Sequence, residues 1–214
     1  NIGLGWQGPQ ILVYQNFLYV FVEEELSLST EVFYTRSTDG GQAWSPMMMI
    51  SSDDNFNSEW PNLDGGDSLN VFAVWNDFKY SPYSWTGDIF LRCSTNGGSF
   101  WAAEDSLTIE HRAHISDIQA QSDTLHVVWD DERLEPDSNN VELFYRMSTN
   151  IGATWNPEER LTYAVGWSRD PSLSITNNLL HLVWDDDRND TAHIGIQDVF
   201  YKQKGLFDVG IEKT

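Results

Sequence analysis

Four runs along the chain are apolar on both faces: Leu18-Tyr19-Val20-Phe21-Val22, Val71-Phe72-Ala73-Val74-Trp75, Leu125-His126-Val127-Val128-Trp129 and Leu180-His181-Leu182-Val183-Trp184. Such runs predict strands enclosed between two neighbouring layers. A second aromatic run follows each: Val32-Phe33-Tyr34, Ile89-Phe90-Leu91, Leu143-Phe144-Tyr145 and Val199-Phe200-Tyr201. The central residues Phe33, Phe90, Phe144 and Phe200 are 57, 54 and 56 residues apart. Ahead of the enclosed runs lie shorter strands with polar hairpin dipeptides: Gln10–Tyr14 with Gln15-Asn16, Ile115–Ala120 with Ser122-Asp123, and Leu173–Ile175 with Asn177-Asn178. A fourth strand is expected at Met47–Ile50, Leu107–Ile109 and Arg160–Thr162. Almost no helical periodicity interrupts the scheme. The unit is four short antiparallel strands over ~55 residues, the size of a propeller blade. Four units span roughly 6–52, 59–110, 114–164 and 168–212 of a single domain, 1–214.

Between third and fourth strands the same turn returns three times: Ser37-Thr38-Asp39-Gly40-Gly41-Gln42-Ala43-Trp44, Ser94-Thr95-Asn96-Gly97-Gly98-Ser99-Phe100-Trp101 and Ser148-Thr149-Asn150-Ile151-Gly152-Ala153-Thr154-Trp155. All fit S-x-[D/N]-x-G-x-x-W. Asp39, Asn96 or Asn150 can accept hydrogen bonds from backbone N–H groups two or three residues on. Gly41, Gly98 or Gly152 supplies a positive φ, and Trp44, Trp101 or Trp155 is expected as a buried apolar plug. The motif resembles the Asp-box, or BNR repeat, of the sialidase-like β-propellers. The resemblance implies an all-β propeller, a scaffold role for the boxes at the outer rim, and no particular activity. It also implies that first strands line a central channel. Loops leaving second strands and loops entering first strands then share one face, opposite the boxes. Sialidases have six blades, so three arrangements fit four units: a complete small ring, an open arc, or part of a longer propeller. The fourth unit has no box. Its outer strand is expected from Leu206–Ile211 or from the N-terminus as a ring-closing latch.

Composition narrows the partners. The chain carries 12 Lys+Arg against 33 Asp+Glu, a net charge of −21. Nucleic acid, which needs a basic face, is thereby excluded as a partner. No stretch approaches the ~20 apolar residues of a membrane span. Cys93, the only cysteine, lies in a strand and reads as a small buried apolar thiol. No signal peptide is visible at Asn1-Ile2-Gly3-Leu4-Gly5-Trp6, and the chain reads as a mature or excised fragment of a secreted, bacterial-type extracellular protein.

The exits of the second strands are acidic: Glu23-Glu24-Glu25, Asn76-Asp77, Asp130-Asp131-Glu132-Arg133 and Asp185-Asp186-Asp187-Arg188. The repeated W-D-D-x-R reads as a turn cap with an arginine salt bridge. Its alternative is a hard-cation site, with Asp77, Asp130 and Asp185 as oxygen ligands for Ca²⁺. On the same face stand Trp6, Trp60, Tyr83, Trp85, Arg112, His114, Trp167 and Arg169. Of these, Trp60, Tyr83, Trp85, Arg112, Trp167 and Arg169 are the candidate ligand-binding residues, flat rings beside carboxylates being suitable for a polyol. Covering the blade tops is the alternative role for the same rings. His126 and His181 share a repeat column and read as packing, whereas His111, His114 and His193 lie in loops. A sialidase needs an arginine cluster, a Tyr–Glu pair and an acid, and its early Arg-Ile-Pro motif is absent. The sequence therefore favours a non-catalytic propeller that binds a carbohydrate or protein ligand. The alternatives are a sialidase-type glycoside hydrolase and a structural part of a larger extracellular protein.

Overall fold

The computed structural model describes residues 7–66, 69–83, 85–134, 140–190, 195 and 197–206. Only strands and turns occur among them, arranged as four antiparallel sheets. The first holds β1 (Gln7–Tyr14), β2 (Phe17–Glu25), β3 (Thr30–Ser37) and β4 (Met48–Met49); the second holds β5 (Ser58–Gly65), β6 (Val71–Asp77), β7 (Asp88–Ser94) and β8 (Asp105–Ser106). The third holds β9 (Ala113–Gln121), β10 (Thr124–Asp131), β11 (Glu142–Ser148) and β12 (Glu159–Arg160). The fourth has three strands, β13 (Ser168–Thr176), β14 (Leu179–Asp186) and β15 (Asp198–Gly205). Each sheet is a simple meander, and the sheets pack side by side in chain order as propeller blades.

The fourth strands are shorter than the sequence suggests, two residues each, and β8 falls ahead of the expected Leu107–Ile109. Beyond them Ile50, Leu107 and Leu161 still donate their N–H to Val32, Ile89 and Leu143 of the third strands, at 2.8, 2.7 and 2.7 Å. Their side chains then turn into the core, which ends the ladder. The outer strand expected at Leu206–Ile211 lies almost wholly outside the described residues. Residues 7–14 are no latch, because β1 is the inner strand of its own blade.

Every joint between blades has the same composition. A blade offers its follower one face, such as Tyr19, Phe21, Val32 and Tyr34. The follower answers with Leu63, Val71, Ala73, Trp75, Phe90 and Trp101. The second joint repeats this with Phe72, Val74, Ile89 and Leu91 against Ile118, Leu125, Val127, Trp129 and Phe144. The third sets Val128, Leu143 and Tyr145 against Leu173, Leu180, Leu182 and Trp184. Strands β6 and β10 are enclosed on both sides and almost wholly buried, as their unbroken apolar runs require. Acidic side chains tie the inner strands together across blades. Asp117 accepts the Leu173 N–H and the Asn62 side-chain amide, both at 2.7 Å, while Asp64 accepts the Ala120 N–H at 2.7 Å. Burial pushes the Asp117 carboxyl up to about 6.

The three S-x-[D/N]-x-G-x-x-W turns are superimposable in their bonding. Ser37, Ser94 and Ser148 accept the N–H of Gly41, Gly98 and Gly152 on Oγ at 2.9, 2.8 and 2.9 Å. Asp39, Asn96 and Asn150 accept the N–H four residues on, each at 2.9 Å, and Asp39 also accepts the Gln42 N–H three residues on, as expected, at 3.0 Å. The fifth-position glycines have φ of 89°, 72° and 80°. The second and third turns lie on the preceding blade: the Tyr34 hydroxyl donates to the Gly98 carbonyl at 2.9 Å, and a Cβ on Gly152 would meet Leu91 and Cys93. Burial of the three tryptophans is accordingly unequal, against expectation. Trp101 is buried against Phe21 and Tyr34, while Trp155, packed against the second blade, and Trp44 are both half-buried. Cys93 is half-buried rather than enclosed, and burial pushes its thiol up to about 12, which leaves it unreactive.

Candidate functional site

The meander topology brings the second-strand exits and first-strand beginnings to one end, and the β1–β2-type hairpins with the S-x-[D/N]-x-G-x-x-W turns to the other. Gly40 and Ile151 donate their N–H to Asn16 and Asp123 of those hairpins, which fixes that opposite end.

The exits contain two distinct acidic columns, and the sequence reading mixed them. Asp77, Asp131 and Asp186 stand opposite Asp88, Glu142 and Asp198 of the third strands. Each accepts the indole N–H of the tryptophan two residues earlier, at 3.3, 3.2 and 2.8 Å. Each also pairs with the basic residue two positions on, Lys79, Arg133 or Arg188. Those cations lie over Phe90, Phe144 and Phe200 at 4.4, 4.7 and 4.1 Å. W-D-D-x-R is thus a structural clasp joining second strand, exit loop and third strand. Burial raises the Asp186 carboxyl, but hydrogen bonds from Arg188 and Trp184 outweigh it and hold it down to about 2.

The other column is Glu23, Asn76, Asp130 and Asp185, and it faces the inner strands. Glu23 accepts the Trp60 N–H at 2.7 Å, and Asn76 donates to the Ala113 and His114 carbonyls at 2.8 and 2.7 Å. The expected cation trio Asp77, Asp130 and Asp185 therefore does not assemble. Asp77 belongs to the clasp, one residue out of register and already satisfied by Ser58, Trp75 and Lys79. No group of three or more His, Cys, Asp or Glu side chains among the described residues is arranged to hold a metal ion.

Irregularities mark the beginnings of the first strands. Pairing slips at Gln7/Gln10, Glu59/Asn62 and Arg169/Ser172. Each slip holds a positive-φ residue before proline: Gly8-Pro9, Trp60-Pro61 and Asp170-Pro171, with φ of 53°, 53° and 50°. Positive φ is costly for Trp and Asp, and such bulges re-aim side chains. Here they set Trp60 and Asp170 near the starts of β5 and β13, next in the chain to Glu59 and Arg169, with His114 at the corresponding place in β9. The Trp60 ring lies 4.4 Å from His114 and edge-on to Phe78 at 6.0 Å. His114 Nδ1 faces Asp130 Oδ2 at 3.7 Å. Asp130 is fully buried; its Oδ1 accepts the Ile115 N–H at 2.6 Å, and its Oδ2 has no hydrogen bond. Burial, then the charges of Asp130 and Asp185, raise the Asp170 carboxyl, against the opposing pull of His114 and Arg169. Burial likewise raises Glu59.

The remaining candidate residues sit around this centre. Arg169 bonds Glu132 at 3.2 Å and lies over the Trp167 ring at 4.2 Å. Arg112 lies over Tyr83 at 3.8 Å and donates to its hydroxyl. Tyr83 neighbours Trp85 at 6.0 Å and, with Phe56 and Phe78, lines a cleft of about 340 Å³. Of the four rings expected to be exposed, Trp85 is open, at 56%, while Trp60, Tyr83 and Trp167 are half-covered. His111 pairs with the buried Asp88 at 2.5 Å. Trp6 and His193 lie outside the described residues. Sequence reasoning missed Glu59 and Asp170; the recurrence of Pro9, Pro61 and Pro171 near the starts of the inner strands was the available signal.

All eight arginines are engaged: besides the four above and Arg160 with Glu142, Arg36 and Arg146 donate to the Gly97 and Leu107 carbonyls and Arg92 lies 3.8 Å from Glu104.

No protein-family model and no curated protein sequence matches the chain. Solved structures do. An α-L-arabinanase of Penicillium chrysogenum complexed with arabinobiose superposes with a TM-score of 0.67 at 14% identity, over 92% of this chain and 62% of that one. The GH93 α-L-arabinofuranosidase of Fusarium graminearum with arabinobiose gives 0.63 at 15% identity, over 90% and 61%. A Trypanosoma rangeli sialidase in complex with sialic acid gives 0.60 at 13%, over 91% and 35%. The chain spans about three-fifths of the arabinan-active structures' length. At such identities the likeness defines the fold: this is a β-propeller protein whose described blades follow the architecture of glycan-active hydrolases.

Proposed function

We propose that this chain is a secreted β-propeller module that binds carbohydrate at the mouth of its channel without hydrolysing sialosides. The three recurrent turns are Asp-boxes in this reading, and serve as inter-blade joints. The observation that carries it is Trp60, held by a strained bulge next to Glu59, with its ring 4.4 Å from that of His114. An aromatic face next to hydrogen-bonding carboxylates offers both surfaces of a sugar ring what they need. The solved structures of similar fold were captured with arabinobiose or sialic acid. Net negative charge favours neutral or amino sugars over sialic acid here, and the engagement of all eight arginines leaves none free to clamp a sugar carboxylate.

Tryptophan fluorescence titration with neutral oligosaccharides, arabinobiose among them, tests the proposal. Saturable quenching that weakens at least tenfold in Trp60→Ala is expected. If no sugar perturbs the emission, the rings serve only packing and the proposal fails.

A second reading, glycoside hydrolysis, is favoured by one group. Asp170, its carboxyl raised among other acids, has the character of a general acid. Release of nitrophenol from an aryl arabinofuranoside, abolished in Asp170→Asn, would establish that reading over the first.

A further inference from the structure

The loop that joins β6 to β7 carries Phe78, Tyr80, Tyr83 and Trp85, and the chain entering β5 lies against it: the Phe78 N–H donates to the Asn57 carbonyl at 3.0 Å. Between these two runs lies the cleft of about 340 Å³, with Asn55, Phe56 and Asn57 on one side and Phe78, Ser81 and Tyr83 on the other. Both walls are held in place. Asp54 accepts the Phe56 N–H at 3.1 Å, the Ser81 N–H donates to the Phe78 carbonyl at 2.9 Å, and the Tyr83 N–H donates to Ser81 Oγ at 3.0 Å. Arg112, lying over the Tyr83 ring, fixes that side chain as well.

Two properties of the cleft are not explained by packing. Phe56 is 47% exposed and belongs to none of the three core clusters. In a chain of charge −21, moreover, no residue lining the cleft is charged. The nearest carboxylates are engaged elsewhere: Asp54 faces Lys79 at 3.5 Å, and Glu59 accepts the Asn57 amide at 2.7 Å. The hollow on the other side of Asn55, by contrast, is lined by Glu25 and Asp53. An uncharged recess of rings and amides suits a ligand that is itself uncharged, with apolar faces and hydroxyls around its edge, as a sugar ring has. The Asn55 amide, exposed and bonded to none of the described residues, offers both a donor and an acceptor. Phe78 joins the cleft to the Trp60 site, because the Trp60 ring stands edge-on to it at 6.0 Å.

We propose that this cleft is a second sugar subsite, which takes the further units of a neutral chain whose first unit lies on Trp60. On the reading of Trp60 given above, on which this rests, the ligand narrows from neutral or amino sugars to uncharged chains longer than a disaccharide.

Isothermal titration of the protein with arabino-, xylo- and cello-oligosaccharides of two and six units tests this. In the series that binds, the six-unit chain should bind at least tenfold more tightly than the two-unit one. Phe56→Ala and Asn55→Gly should remove most of that gain and leave two-unit binding unchanged. Both positions are exposed, and glycine keeps the positive φ of 67° at Asn55, so folding should survive, which circular dichroism verifies. Trp60→Ala should weaken binding at both lengths. The gain should be equal in low and high salt, since no charge lines the cleft. Failure of every sugar to bind would defeat the Trp60 reading and the subsite with it. Two-unit binding that meets that reading, with no gain at six units, would overturn the subsite alone. A gain that survives Phe56→Ala and Asn55→Gly, or that falls away in high salt, would overturn it equally.

Discussion

Tyr19, Phe72, His126 and His181 hold one and the same position in the second strands of the four blades, and only the third places an imidazole deep in the core. His126 is 1% exposed, with Nδ1 2.7 Å from the Tyr145 hydroxyl. Burial lowers its pKa to about 4 from the ordinary 6.5. The unfolded chain therefore takes up this proton before the folded one. The stability owed to the neutral ring is intact above about 6.5 and is lost as pH falls toward about 4. Asp117, raised to about 6, acts the other way: its burial penalty is relieved over the same fall. His126→Phe isolates the histidine, and Phe72 shows that the position accepts a phenyl ring. At pH 7 the variant should be slightly weaker, because the Tyr145 hydroxyl loses its partner at a cost of ~1 kcal/mol. Between pH 7 and pH 4.5 the difference should move in the variant's favour by ~2 kcal/mol. Urea unfolding at both pH values measures this; parallel pH dependence in the two proteins would refute the buried neutral ring.

At the scale of elements, the three S-x-[D/N]-x-G-x-x-W turns are alike in sequence and bonding yet unlike in what they stabilise. A turn contributes a joint only where a blade stands before it. Trp101, edge-on to Phe21 and Tyr34, fills such a joint, and Trp101→Ala should cost ~3–5 kcal/mol. Trp44, half-buried with its indole N–H donating to the Gly41 carbonyl at 3.2 Å and outside the three core clusters, should cost less, ~1–2 kcal/mol, on the same change. Equal losses in urea titrations would show that the turn itself, not the joint, holds the energy. This contrast also marks what was legible in the sequence. Strands and turns were, since the period of the apolar runs is imposed by enclosure on both sides and recurs in every blade. The register of the acid doublets was not: two adjacent carboxylates look interchangeable until pairing with Asp88, Glu142 and Asp198 decides which faces the clasp and which the inner strands. Nor was the placing of Trp60 and Asp170, because both sit in bulges that break periodicity. Burial of Trp44 depends on a neighbour that no local pattern encodes.

For the whole molecule, the arc behaves as a short one-dimensional array in which each blade is stabilised by its neighbours. The second and third blades have two joints, the first and fourth one each. Strands β6 and β10 are buried along almost their full length, whereas alternate residues of β1 and β15 face outward. Opening an end blade breaks one joint; opening a middle blade breaks two, so local unfolding should run inward from both flanks. The backbone amides of β6 and β10 should therefore exchange with deuterium slowest, near the limit set by global unfolding. Those of β14 and β15 should exchange by sub-global opening, at least tenfold faster, although β14 carries the same apolar run as β10. The measurement belongs in dilute protein. Equal protection of β10 and β14 there would mean that the four blades unfold as one unit, and that the missing joint carries little of the stability of the arc.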